Sequence, residues 1–129
     1  MRVLLACLLL IAPAGLIAAE VQTPPEQGAT PGTIALDPFV VNIADRDRDR
    51  YLKLKAELEV TDPQVRAELD FRTAQIRDLV ISLLGSKSFD EIRSIEGKNF
   101  LREELLLRMN AVLMRGRIHR IYFTEFIVQ

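Results

Sequence analysis

The chain has no tryptophan, one histidine and one cysteine in 129 residues. The cysteine, Cys7, falls in an apolar N-terminal run. The rest of the chain therefore holds neither an internal disulfide nor a thiolate ligand for a metal. One histidine, His119, falls short of the three or four His, Cys or carboxylate ligands of a transition-metal site. It reads as a strand residue facing solvent or a hydrogen-bonding partner. Neither sign of charge dominates: 17 Lys and Arg stand against 18 Asp and Glu, a net charge of −1. A nucleic-acid binder carries a basic excess or stripe, so that class of partner is excluded. The six glycines are scattered, and no phosphate-cradling loop forms.

Nucleophile and carboxylate arrangements are missing too. Ser82, Ser86, Ser88 and Ser94 have no base beside them. Glu103 and Glu104 are adjacent in a helical pattern and point in different directions. Glu57 and Glu59 lie two apart on the wet face of a strand, which makes them ordinary surface charge. Met109 and Met114 fit helix packing. The chain offers no catalytic, cofactor-binding or metal-binding residues and no pocket motif for a small-molecule substrate. It reads as an interaction module.

What is present begins at the N-terminus. Residues 3–19 carry no charge, Arg2 precedes them and Glu20 follows. A positive start, an apolar run and small residues at its end make residues 1–19 a signal peptide or a single membrane anchor. Ala12-Pro13-Ala14 and Ile17-Ala18-Ala19 both offer cleavage contexts. As a helix, about 17 residues span roughly 25 Å, a little less than the ~30 Å hydrocarbon core. Both readings send the remainder across the membrane. The apolar stretch ahead of Cys7 is too short for a lipoprotein signal. Residues 20–33 contain Pro24, Pro25, Gly28, Pro31 and Gly32 and read as a flexible linker. Its mean reach is ~20 Å.

Residues 34–129 read as one domain of order β-β-α-α-α-β, an α+β class. Ile34–Ala44 is the first strand, interrupted by Pro38, which must sit at an edge or bulge. Tyr51–Val60 alternates Leu52, Leu54, Ala56, Leu58 and Val60 with Lys53, Lys55, Glu57 and Glu59, a strand with one buried face. Asp45–Arg50 between them alternates in sign and reads as a solvated turn. Asp62-Pro63 opens a long helix with a stripe of Val65, Leu69, Ile76, Val80 and Leu83, ended by Gly85 as a left-handed cap. Ser88-Phe89-Asp90-Glu91 fits a capping box. Ser94 caps a second long helix to about Arg115, with Leu101, Leu105, Val112 and Leu113 on its stripe and Gly116 as its stop. The chain ends inside a β-branched and aromatic run, Ile118–Gln129. Strict alternation puts Ile121, Phe123 and Ile127 on one face and Tyr122, Phe126 and Val128 on the other, which predicts a strand covered on both sides.

Three stretches together resemble one family. They are Leu36-Asp37-Pro38-Phe39-Val40-Val41-Asn42-Ile43-Ala44-Asp45 with Arg50-Tyr51-Leu52-Lys53; Ile76-Arg77-Asp78 and Leu83-Leu84-Gly85-Ser86-Lys87-Ser88 with Glu96-Gly97-Lys98; and the ending Tyr122-Phe123-Thr124-Glu125-Phe126-Ile127-Val128-Gln129. In this order over residues 34–129 the chain resembles the FliL family of flagellar basal-body-associated proteins. The resemblance implies a small stomatin-like (SPFH-type) periplasmic domain on one membrane segment. It implies a non-enzymatic accessory that associates with flagellar stator units at the inner membrane, forms homo-oligomeric rings, and supports rotation, swimming and swarming. Phe39, Tyr51, Leu83 and Phe126 fit core positions by the patterns read above. Family members have a longer segment before the apolar run than Met1-Arg2, which leaves cleavage or retention open. A general periplasmic scaffold of the same fold, serving a non-flagellar complex, is the alternative.

Overall fold

The computed structural model describes residues 32–129 and Gly15. The expected signal or anchor, residues 1–19, and the expected linker up to residue 31 otherwise lie outside the described residues. Among the described residues no helix is long and apolar enough to cross a membrane.

The central element is β3, Arg50–Val60, whose alternation buries Leu52, Leu54 and Leu58 completely on one face. Two short strands, β1 (Gly32–Ala35) and β2 (Phe39–Ile43), lie end to end along one side of it. β1 pairs with Glu57–Val60 and β2 with Arg50–Leu54, both antiparallel. The first strand expected from sequence is thus two. Pro38 has no N–H to donate and stands in the gap, where the Asp37 and Pro38 carbonyls accept from Arg77 at 2.9 and 3.1 Å instead. Phe39, Val41 and Ile43 face the core as the alternation predicts.

The helices cover one face of the sheet. α1 (Pro63–Phe71) starts at Asp62, whose carboxylate accepts the Gln64 N–H at 2.8 Å. α2 (Thr73–Gly85) follows after a break at Arg72, so the single long helix expected is two. The Thr73 hydroxyl donates back to the Leu69 and Asp70 carbonyls at 3.1 and 2.9 Å, a bond that bends helices. The stripe survives the break: Val65, Leu69, Ile76, Val80 and Leu83 are all buried. Gly85 does not form the left-handed cap. It is the last helical residue, and Ser86 closes the helix at φ −83° with its N–H on the Leu83 and Leu84 carbonyls. The short helix α3 (Phe89–Ile92) has the full capping box, with Ser88 and Glu91 bonded reciprocally. α4 (Ile95–Val112) is capped by Ser94 and buries Leu101, Leu105 and Met109.

The last strand, β4 (Arg120–Val128), pairs antiparallel with the free side of β3, so it is an edge strand. The expectation that it is covered on both faces fails. Ala56 faces Phe123 while Lys55 faces Glu125, which leaves Thr124 as an extra, bulged residue. A bulge shifts the phase of every side chain beyond it. Ile121, Phe123, Phe126 and Val128 therefore all pack toward the helices, while Tyr122 and Ile127 stay exposed. Of the four core positions, Phe39 and Leu83 are buried and Phe126 is half-buried. Tyr51 is 52% exposed. It shares its parity with Lys53, so it must face away from Leu52.

Candidate functional site

Among the described residues no three His, Cys, Asp or Glu side chains gather as a metal site would need. His119 is exposed, with its ring 2.9 Å from the Thr61 hydroxyl. What the fold does build is a pair of surfaces. The first is the open face of the sheet. Lys53 and Lys55 on β3 both reach Glu125 on β4, at 3.6 and 3.3 Å. Glu59 takes the Tyr122 hydroxyl at 3.2 Å and lies 3.9 Å from Arg120. Cross-strand pairs of this kind stabilise by ~0.2–1 kcal/mol each and consume most of the face's charge within one protomer. Val40, Tyr51 and Ile127 stand exposed beside them.

The second surface surrounds the turn from α4 into β4. Two polar side chains that sequence reading passed over hold this turn. Asn110 clamps Ile118 at both ends: its amide donates to the Ile118 carbonyl at 3.0 Å and its oxygen accepts the Ile118 N–H at 2.7 Å. Glu68, buried on α1, accepts the N–H groups of Met114 at 2.8 Å and Arg115 at 2.9 Å, and Arg72 Nε at 2.9 Å. Those N–H groups are thereby withdrawn from the helical ladder, and α4 stops at Val112, short of the expected Arg115. The signal was present in the sequence: Glu68 is an acid placed beside Leu69 on an apolar stripe. Gly116 ends the turn at φ +156°, and a Cβ there would come within 2.6 Å of Val65 Cγ2. Beside it a groove of about 750 Å³ is lined by Phe71, Arg72, Met114 and Arg115 over Glu68. Met109 packs in the core, but Met114 is 80% exposed.

The carboxylates with shifted pKa values all have structural partners. Burial raises the Glu68 pKa, but the Arg115 N–H, Arg72 and the Met114 N–H together outweigh it and hold the carboxyl below the usual range. Asp45 is lowered first by its bond to Arg50, whose guanidinium also lies over Phe89 at 4.0 Å. The Asp45–Arg50 turn is therefore locked at its two ends, and only its middle matches the solvated turn expected. Glu104 is lowered first by Lys87, 2.8 Å away, and then by Arg108. A depressed native pKa adds stability that is present above the unfolded value and lost as pH falls through the folded one. The melting temperature is expected to stay level from neutral pH down to about 5 and to drop as pH falls below ~4. Glu68→Gln and Glu104→Gln should each remove part of that slope. Circular dichroism melts across this range check it, and a melting temperature flat to pH 2 would refute it.

Residues 33–129 match the family described as flagellar basal body-associated protein FliL. A flagellar protein FliL of Aquifex aeolicus (strain VF5) is 40% identical over 107 residues, 82% of this chain and 65% of its own length. A flagellar protein FliL of Bacillus subtilis (strain 168) is 33% identical over 81 residues, 63% of this chain and 58% of its own length. A flagellar FliL protein of Caulobacter vibrioides is 27% identical over 94 residues, 72% of this chain and 46% of its own length. The chain spans less than two thirds of each of these relatives.

Proposed function

The chain belongs to the FliL family of flagellar basal body-associated proteins, and on that premise we propose that it is a non-enzymatic motor accessory associating with stator units. The family match over residues 33–129 carries the reading. In this reading residues 1–19 bring the chain to the inner membrane, the linker read over residues 20–33 acts as the tether up to the start of β1 at Gly32, and the remainder forms a stomatin-like domain on the periplasmic side. Copies concentrated on the membrane assemble into a ring, because confinement raises their effective concentration. The chemistry of the surfaces supports a binding role. General acid catalysis needs a carboxyl whose pKa is raised toward neutrality, whereas Asp45, Glu68 and Glu104 are all lowered and held by cations or N–H groups.

Deleting the gene is expected to reduce swimming and swarming and to lower stator occupancy at the motor. Soft-agar spreading, single-motor speed and the fluorescence of labelled stators at the flagellar base measure these effects. Normal motility with unchanged stator occupancy would sink the proposal and leave a scaffold for another membrane complex.

A further inference from the structure

We propose that the turn between α4 and β4, together with the exposed end of α1, forms a contact surface for an anionic lipid membrane. The inference rests on the reading above that residues 1–19 and the tether bring this domain to a bilayer.

The turn reads Met114-Arg115-Gly116-Arg117-Ile118-His119-Arg120, with three arginines, a histidine and no acid. Every one of these residues except Ile118 is exposed. Ile118 is fully buried and gripped by Asn110, while Glu68 fixes Met114 and Arg115 from below. The basic turn is thus presented on a rigid base. Next to it two large apolar side chains project into solvent: Phe71 is 87% exposed and Met114 is 80% exposed. They share one groove with Arg72 and Arg115. Apolar side chains flanked by cations are what an anionic interface rewards: the chains enter the acyl boundary and the guanidiniums meet phosphates.

The position of the tether agrees. The domain begins at Gly32, which pairs with Val60 at the same end of the sheet where β4 starts against Glu59. A Cβ on Gly32 would lie 3.0 Å from Arg66 Nη2, so a further arginine of α1 sits where the chain enters. Acidic groups at this end are mostly engaged. Glu68 holds Arg72 and the turn, Asp62 caps α1, and Glu59 takes Tyr122 and Arg120. Asp70 and Glu103 are the exposed acids nearby; Glu103 lies on α4, on the side of the turn away from Phe71, in grooves it shares with Arg117 and with Arg120. Arg66, Arg115 and Arg117 have no ion pair among the described residues, which leaves them for headgroups. A tether of ~20 Å mean reach keeps this end within contact distance of the membrane surface.

Because the chain has no tryptophan, Phe71→Trp gives a single reporter at a position that is solvent-exposed in the fold. The full chain is reconstituted with vesicles of phosphatidylglycerol and phosphatidylethanolamine, or of phosphatidylcholine alone, each with brominated acyl chains. The expected result is blue-shifted, quenched emission from position 71 in the anionic vesicles only, with Ile81→Trp on α2 unquenched. Arg115→Gln and Arg117→Gln should each weaken the contact about fivefold, as ~1 kcal/mol per cation near such a surface requires. Protein that pellets with anionic vesicles while position 71 emits as in water overturns the contact and leaves the anchoring intact. Protein that stays in the supernatant overturns both. Equal quenching in both lipids, or a shift that appears only when stator protein is added, also overturns the lipid assignment.

Discussion

A chain stopped after Thr124 is expected to lose its cooperative melting transition. The deleted residues include Phe126 and Val128, which lie opposite Leu54 and Leu52. Both leucines are completely buried in the central strand. The truncation also removes the paired bonds between Tyr51 and Gln129, each 2.8 Å. Exposing a fully buried leucine costs ~1.5–3 kcal/mol, against a total stability of ~5–15 kcal/mol. Edge position does not make β4 dispensable, because β3 has no other partner on that side. Phe126→Ala alone is expected to be milder, about 2 kcal/mol, since the ring is half-buried and a fully buried Phe costs ~3–5 kcal/mol. Thermal melts of the full chain and both variants decide this. A truncated chain melting near the wild-type temperature would mean that β4 is peripheral. Motility lost with Phe126→Ala should track lost folded protein rather than a lost contact.

Gly97→Ala is expected to destabilise the domain by about 3 kcal/mol or more, although alanine is the better helix former by ~1 kcal/mol. A Cβ at Gly97 would sit 1.9 Å from the Glu91 carbonyl oxygen and 2.9 Å from its carbon. The obstacle is backbone of α3, so no side chain can swing aside. The first turn of α4 has to move, and with it the Ser94 cap that holds the Gly97 N–H at 3.0 Å. Overpacking of this kind costs ~1–3 kcal/mol or more, and loss of a cap adds ~1 kcal/mol. Gly85→Ala is the control with the opposite sign. Its Cβ would meet Val41 Cγ1 at 3.7 Å, an ordinary contact, and its backbone is helical. There the gain of ~0.5–1 kcal/mol for removing a helical glycine should appear in full. Denaturant midpoints of the two variants test the pair, and a stabilised Gly97→Ala would show that the close approach of α3 to α4 is absent in solution.

Membership of the FliL family was legible in three short stretches of sequence, and so was much of the architecture. Local chemistry is why. The alternation of β3, the Asp62-Pro63 start of α1, the capping box at Ser88 and the Ser94 cap each depend on residues within a few positions of one another. The same local reasoning placed the buried stripes of α1 and α2 correctly, and Leu101 and Leu105 of α4, whereas Val112 is only half-buried and Leu113 lies just past the helix.

What failed depended on partners distant in the chain. Glu68 reaches Met114 across 46 positions, and that bond, not Gly116, decides where α4 stops. Register against β3 leaves Thr124 unmatched, so the alternation read along β4 slips by one residue and moves Phe126 and Val128 to the helical face. Gly97, read in the sequence only as part of the Glu96-Gly97-Lys98 stretch, owes its place to the backbone of α3 packed against it. The sequence by itself determined the kind and order of the elements, because propensity, capping and periodicity act over a turn or a pleat. Only the tertiary structure decided which residues of β4 are inside, where α4 ends and why Gly97 must be glycine. Each of those turns on a steric limit or a hydrogen bond between segments that meet only once the sheet and helices have packed.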